Sequence, residues 1–200
     1  STLTRHYPPG PLTVHSVGYV GRINEKELRN LDPSNYASTN YVGKTGVEKS
    51  HEALLHGQVG YQQVETNARG RILRVLNRTS PVPGQNLYLN IDVALQRTAE
   101  KAFNGARGAL VAISPKTGAV LTLVSTPTYD PNLFVNGIPL STYRELSESP
   151  NQPLFNRALR GQYPPGSTTK PFIGLAGLEL NKIKAWDSIV CPGWYSLEND

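Results

Sequence analysis

The chain has 200 residues, of which 38% are hydrophobic and 18% are charged. This composition supports a hydrophobic core and excludes an intrinsically disordered protein, and the length fits one domain or one and a half. The formal net charge is +5, but the lysines and arginines are scattered and form no basic helix, zinc-finger motif or RNA-binding motif. We therefore expect no nucleic-acid partner. No apolar run reaches the length needed to span a bilayer.

The N-terminal third of the chain predicts short elements. Residues 1–45 are rich in proline, glycine, asparagine and serine, which favours loops with short strands or a helical turn. Residues 47–56 predict a short helix that ends at Gly57. Residues 61–75 predict two strands around an Asn-Ala-Arg-Gly turn, with Gly70 in the left-handed conformation.

Past residue 79 the pattern indicates a second region. The run Thr79 to Gly84, with two prolines, is the best linker candidate. The alternation of Leu87, Leu89 and Ile91 predicts a strand, and Asp92 then caps a helix with Leu95, Ala99, Ala102 and Phe103 on one face. Two apolar strands follow, at residues 109–113 and 119–124. Strand, helix and hairpin before a further helix predict a mixed α/β domain.

The most informative segment is Tyr-Pro-Pro-Gly-Ser-Thr-Thr-Lys-Pro-Phe, at residues 163–172. Ser167 and Lys170 are one helical turn apart, which places both side chains on one face of a helix. A serine hydroxyl needs a base within hydrogen-bond reach to act as a nucleophile, and Lys170 is the candidate base. Because Pro-Pro-Gly is not helical, Ser167 is expected to be the N-cap, with Pro171 in the first turn.

A serine three residues before a lysine is also common by chance, and an N-cap serine followed by a solvated lysine is an ordinary helix start. The next helix favours the catalytic alternative, because its apolar residues lie almost all round: Phe172, Ile173, Leu175, Ala176, Leu178 and Leu180. A helix that is apolar on every side is typical of a core, so we expect it to be buried in a complete domain. This sequence holds too little to cover every face, so we expect the helix over residues 171–180 to expose apolar surface here. Burial lowers the pKa of a lysine amine, as a general base requires.

The segment 163–172 resembles the first catalytic motif of the penicillin-binding transpeptidases, and the wider sequence is similar to their class B members. The resemblance implies a mixed α+β fold. In it, a penicilloyl-serine transferase domain, C-terminally incomplete and spanning residues 85–200, follows a small α+β pedestal of residues 1–80 that docks partner proteins. Further runs resemble the pedestal (Tyr41–Lys49, Leu55–Gly60 and Asn67–Arg71) and the opening of the transpeptidase domain (Leu89–Asp92, Leu95-Gln96 and Ser125–Asn132).

The resemblance also implies an activity, a peptidoglycan D,D-transpeptidase of cell elongation. Ser167 would attack the penultimate D-Ala carbonyl of a peptidoglycan stem peptide, with Lys170 as the base and the Ser167 backbone N–H as one oxyanion donor. An amine on a neighbouring strand would then resolve the acyl-enzyme. β-Lactam antibiotics would acylate the same serine, and no cofactor is implied.

The implied location is the periplasmic face of the inner membrane. Elongation-type members are held there by an N-terminal anchor that this chain lacks. The implied partners are a membrane-embedded glycosyltransferase and other elongation-complex proteins.

Two other functions stay open at this point. One is a non-catalytic interaction module, because residues 1–80 carry no catalytic constellation. The other is a serine β-lactamase or β-lactam sensor, which shares the Ser-x-x-Lys motif but has no such pedestal. Within the enzyme hypothesis, the sequence leaves open whether the acyl group is cross-linked or simply hydrolysed by a carboxypeptidase.

The family carries two further motifs downstream of the nucleophile, Ser-x-Asn and Lys-Thr-Gly. Here the matching triplets begin at Ser38, Lys44 and Lys116, all upstream of Ser167. We expect the triplet at Ser38 to be a loop and the triplet at Lys44 to precede a helix. We expect the triplet at Lys116 to be a hairpin turn closed by Gly118. The sequence ends too soon after Ser167 to hold the true motifs, and it contains no methionine. It is therefore expected to be part of a longer enzyme or to be catalytically incomplete.

Two residue types are expected to play no chemical role. Cys191 is the single cysteine, so no intrachain disulfide forms, and we expect it to be a small buried hydrophobe. The four histidines show no metal-ligand spacing, so no metal is predicted.

Overall fold

The computed structural model describes residues 4–36, 39–188 and 190–194. The chain divides into two compact units, Ser1–Gly161 and Gln162–Asp200. The mixture of short helices and two-stranded antiparallel sheets confirms the mixed α+β prediction.

The first unit begins with a 3₁₀ turn at Gly10–Thr13. Its further elements, in chain order, are α1 (Val14–Val17), β1 (Val20–Arg22), α2 (Glu25–Leu28), α3 (Pro33–Tyr36), β2 (Tyr41–Gly43), α4 (Gly46–Ser50), α5 (Glu52–His56), β3 (Tyr61–Thr66), β4 (Ile72–Thr79), α6 (Val93–Ala102), β5 (Gly108–Ile113), β6 (Val120–Thr126), α7 (Asn132–Val135), α8 (Leu140–Ser147) and α9 (Arg157–Arg160). The second unit contains a 3₁₀ turn at Gly166–Thr169 and α10 (Lys170–Glu179).

Strands pair as β1 with β2, β3 with β4, and β5 with β6, each pair antiparallel. Both predicted hairpins are confirmed. Gly70 closes the first turn at φ +76°, and Gly118 closes the second at φ +73°. β4 continues to Thr79, beyond the predicted end at Val75.

The helix predicted over residues 47–56 is interrupted at His51, whose backbone (φ −119°, ψ 24°) leaves the helical region between α4 and α5. Gly57 ends the second helix at φ +74°, as predicted. The proposed linker is held in place, because Gln58 and Val82 exchange two backbone hydrogen bonds of 2.8 and 2.9 Å.

The strand predicted over residues 87–91 is wrong. Residues 87–91 form no ladder with another strand among the described residues. The contact with β6 comes one residue later, where the Asp92 backbone N–H donates to the Leu121 carbonyl at 2.8 Å. The cap is confirmed, since the Asp92 carboxylate accepts the N–H groups of Ala94 and Leu95. Helix α6 buries Gln96 and Ala99, whereas the predicted core residue Leu95 is 39% exposed.

Polar side chains fix the N-terminal segment onto the rest of the first unit. The buried carboxamide of Gln96 donates to the carbonyls of Leu12 (3.0 Å) and Leu123 (2.6 Å) and accepts the Leu123 N–H. Asn132 pairs with both backbone groups of Tyr7, at 2.9 and 3.1 Å. Asn156 donates to the His15 carbonyl at 2.8 Å. We call these three side chains the carboxamide brace.

A second network joins the same segment to α4. Glu48 is 4% exposed and accepts two hydrogen bonds from the Arg5 guanidinium, at 2.8 and 3.1 Å, and one from the Tyr7 phenol at 3.0 Å. The Tyr7 oxygen in turn accepts the Val20 N–H at 2.8 Å. Burial, together with the Glu48 charge, raises the pKa of Tyr7 above its ordinary value. Residues 5–20 thus bond both to α4, before the predicted linker, and to α6, after it. The predicted domain boundary between residues 80 and 85 stays a prediction.

Candidate active site

The Ser-Thr-Thr-Lys motif lies in the second unit, where a 3₁₀ turn leads directly into α10. Gly166 begins the turn at φ +54°, a conformation that only glycine adopts without strain. The prediction that Ser167 is an N-cap is wrong. Pro165 is the N-cap of the 3₁₀ turn, and Thr169 is the N-cap of α10. Because the chain already turns at Gly166, Ser167 lies inside the turn. Pro171 lies in the first turn of α10, as predicted.

The structure places Ser167 and Lys170 on one face of this turn. The Lys170 backbone N–H donates to the Ser167 carbonyl, an i to i+3 bond that defines 3₁₀ geometry. Residues three apart lie on the same face of such a turn, so the Cβ atoms of Ser167 and Lys170 are on one side of it. No hydrogen bond joins the Ser167 hydroxyl to the Lys170 amine in the part of the chain that the structure describes.

Three consecutive hydroxyl side chains occupy the turn, and two of them are engaged. Thr168 donates to the Pro165 carbonyl and Thr169 to the Gly166 carbonyl, at 3.0 Å. Among the described residues the Ser167 hydroxyl has no hydrogen-bond partner, and its side chain is exposed. Ser167 is therefore the hydroxyl of the motif that is available for chemistry.

The helix predicted after the motif is confirmed as α10, and the apolar surface expected to be exposed on it in this chain is observed. Phe172 is 74% exposed and Ile173 67% exposed, and Lys170 is exposed as well. Within the second unit, the nearest side chain to Gly177 belongs to Ile183, and no other described element follows α10 to cover its faces.

The upstream copies of the family motifs have structural roles. Lys116-Thr117-Gly118 forms the β5–β6 turn, where the Gly118 N–H donates to the Ser114 carbonyl at 2.9 Å, as predicted. Lys44-Thr45-Gly46 links β2 to α4, with the Lys44 amine paired to Glu27. The third triplet begins at Ser38, which lies outside the described residues.

A buried polar centre in the first unit was missed by the sequence analysis. The His15 ring lies edge-on to Tyr129, with centroids 5.5 Å apart, and its Nε2 is buried with no hydrogen-bond partner among the described residues. Burial lowers the pKa of His15 to about 4. The nearby Arg157 is also buried, and its guanidinium donates to the carbonyls of Asn151 (2.6 Å) and Gln152 (3.0 Å). Neither residue stands in a pattern that signals burial.

The remaining predictions concern Cys191, metal binding and membrane-spanning helices. Cys191 is exposed, so its predicted burial is wrong; it follows α10 in a region with few packing partners. In the described ranges no cluster of three or more histidine, cysteine, aspartate or glutamate side chains could hold a metal ion. No described helix combines the length and apolar character that crossing a membrane requires.

Comparison with known families assigns the two parts of the chain. Residues 1–89 match the penicillin-binding protein dimerisation domain, and residues 108–200 match the penicillin-binding protein transpeptidase domain. The chain belongs to the penicillin-binding proteins, which confirms the resemblance seen in its motifs.

Within this family the chain is similar to penicillin-binding protein 2. It is 50% identical over 198 residues to the peptidoglycan D,D-transpeptidase MrdA of Acinetobacter baumannii, covering 99% of this chain and 30% of that protein. Identity to MrdA of Escherichia coli K12 is 45% over 197 residues, covering 96% of this chain and 31% of that protein. The chain thus spans about a third of the length of these relatives.

Solved structures support the same assignment. The Pseudomonas aeruginosa PBP2 complex with WCK 5153 matches all of this chain and 40% of that one, with a TM-score of 0.89 and 50% identity. PBP2 of Helicobacter pylori in complex with MreC matches 98% of this chain and 36% of that one, with a TM-score of 0.89 and 34% identity. Both structures are of penicillin-binding protein 2, so the similarity to this member of the family holds in sequence and in fold.

Proposed function

We propose that the full-length protein is a peptidoglycan D,D-transpeptidase that cross-links stem peptides through an acyl-enzyme on Ser167. The observation that carries this proposal is the turn Gly166–Thr169, in which Ser167 has the one unengaged hydroxyl of the motif and its carbonyl accepts the Lys170 backbone N–H. The relatives named D,D-transpeptidases support it. The match of residues 1–89 to a pedestal-type domain favours it over a β-lactamase or a β-lactam sensor.

The chemistry follows from the two side chains. The Lys170 amine takes the hydroxyl proton as the Ser167 Oγ attacks the penultimate D-Ala carbonyl. The new Oγ–C bond forms, the amide C–N bond breaks, and the proton passes to the departing D-Ala amine. The N–H groups of the first turn of a helix have no intrahelical acceptor, so the Ser167 N–H can stabilise the oxyanion. An incoming stem-peptide amine then displaces Ser167 and completes the cross-link. β-Lactams acylate the same oxygen.

Labelling with a fluorescent penicillin tests this assignment on the full-length protein. Ser167→Ala should abolish the label, and Lys170→Arg should nearly do so, because a guanidinium stays protonated. The matched control is Ser80→Ala, at an exposed serine of the predicted linker, which should label like the parent. Full labelling of Ser167→Ala would overturn the nucleophile, and normal acylation by Lys170→Arg would overturn the base.

We also propose an assembly role for residues 1–89 at the periplasmic face of the inner membrane. The Helicobacter pylori PBP2–MreC complex supports an MreC-type partner, beside a membrane-embedded glycosyltransferase of the elongation machinery. MreC from the same organism should bind the full-length protein equally well with and without Ser167→Ala, because docking and acylation use different residues. An absence of binding by the parent protein would overturn this partner.

A further inference from the structure

Thr168 and Thr169 make the same type of hydrogen bond. Each hydroxyl donates to the carbonyl three residues earlier, Thr168 to Pro165 and Thr169 to Gly166. The backbone N–H of Thr168 donates to the same Pro165 carbonyl, at 3.2 Å. A threonine hydroxyl can choose between the carbonyls three and four residues back, and both threonines here choose the closer one.

That choice matters because it matches the backbone of a 3₁₀ turn. In a 3₁₀ helix the acceptor lies three residues back and the side chains of residues i and i+3 are eclipsed. In an α-helix, with 3.6 residues per turn, the same two side chains are rotated apart by about 60°. The conformation of Gly166–Thr169 therefore decides whether Lys170 lies in line with Ser167 or to one side of it.

We propose that Thr168 and Thr169 are positioning residues for the acylation of Ser167. Their hydroxyls hold residues 166–169 in the 3₁₀ conformation, which keeps the Lys170 amine aligned with the Ser167 oxygen. The same bonds engage the hydroxyls of Thr168 and Thr169. Ser167 is then the one hydroxyl of the motif left to donate its proton to the Lys170 amine. Neither threonine touches the substrate in this role. The inference rests on the proposed function, because it assumes that Ser167 is the nucleophile.

Replacing both hydroxyls by methyl groups tests the inference. In the full-length protein, the double variant Thr168→Val with Thr169→Val keeps the β-branched shape but removes both bonds. Its acylation rate constant at saturating fluorescent penicillin should fall about ten-fold, while the dissociation constant of the initial penicillin complex stays within about two-fold. The limb of the acylation pH profile that reports the base should shift as well, since the base no longer meets the serine in the same geometry.

The matched control is the double variant Thr168→Ser with Thr169→Ser, which retains both hydroxyls and should acylate within about three-fold of the parent. Unchanged acylation by the valine variant would overturn the inference. So would equal losses in the valine and serine variants, or a lower thermal midpoint of the valine variant with an unchanged rate constant and pH profile.

If the double valine variant does not fold, the two single valine variants carry the same test, each with an expected loss of about three-fold. Full labelling of Ser167→Ala would overturn the proposed function itself. The threonine variants keep Ser167, so their results test only the positioning role.

Discussion

The two units of the chain bury their side chains in opposite ways. In the first unit, polar residues such as Gln96, Glu48 and His15 are buried. In the second unit, the apolar helix α10 has no buried residue. The difference lies in the distance along the chain to the packing partner. Gln96 bonds to Leu12, 84 positions away, whereas α10 packs, among the described residues, on the turn that precedes it and beside Ile183. Apolar composition alone therefore does not decide burial; the availability of a partner does.

The largest expected effect is the pH dependence of stability that the buried His15 causes. Its folded-state pKa of about 4 lies below the ordinary value of 6.5, so the unfolded chain binds the proton first as the pH falls. Stability should therefore be lost as the pH falls from about 6.5 to about 4, by about 3 kcal/mol in total.

Chemical denaturation of the full-length protein at about pH 7 and about pH 5 measures about 2 kcal/mol of this loss. His15→Gln should remove most of the dependence, whereas His51→Gln, at an exposed histidine, should preserve it. Identical pH dependence in the parent and in His15→Gln would show that His15 is not held neutral by burial.

A smaller effect compares one apolar residue from each unit. Val14 is 1% exposed and Ile173 67% exposed. In the 200-residue chain, Val14→Ala should cost about 2.5 kcal/mol, because it leaves a cavity, whereas Ile173→Ala should cost less than about 0.5 kcal/mol. Binding of an apolar dye should fall for Ile173→Ala, because α10 presents exposed apolar surface. Equal costs for the two variants would contradict the difference in burial.

The smallest effect separates a turn from a substrate site. Gly118 has φ +73°, where a β-branched residue is strained, so Gly118→Val should destabilise the protein by about 1.5 kcal/mol. Lys116→Ala in the same turn should change stability by less than about 0.5 kcal/mol, and penicillin acylation by the full-length protein should stay within a few-fold of the parent. A large loss of acylation from Lys116→Ala, with normal folding, would make this triplet a functional motif.

Local signals were sufficient for much of the fold. The turns at Gly70 and Gly118 and the Asp92 cap each depend on a few adjacent residues, and all three are confirmed. The strand over residues 87–91 failed because alternation predicts a strand only where a partner completes the ladder. The buried positions of Gln96 and His15 depend on contacts with distant residues, which no local pattern encodes.

The candidate site divides in the same way. The spacing of Ser167 and Lys170 predicts that they share a face, and this depends only on helical geometry. The 3₁₀ conformation was not predicted, because it depends on the positive φ of Gly166 and on which carbonyl each threonine hydroxyl selects. The exposure of α10 was predicted, because the described residues supply nothing large enough to cover its apolar faces.

The carboxamide brace has a consequence for anyone who wishes to cut the molecule into parts. Gln96, Asn132 and Asn156 hold backbone groups of Leu12, Tyr7 and His15, all far upstream of the predicted linker. A fragment that starts at the linker would lose these hydrogen bonds and expose the three carboxamides to water, at about 1 kcal/mol for each bond. A fragment that keeps residues 7–18 in front of α6 would retain these bonds. The N-terminal peptide therefore joins the two sides of the linker, because it bonds to Glu48 before it and to Gln96 after it.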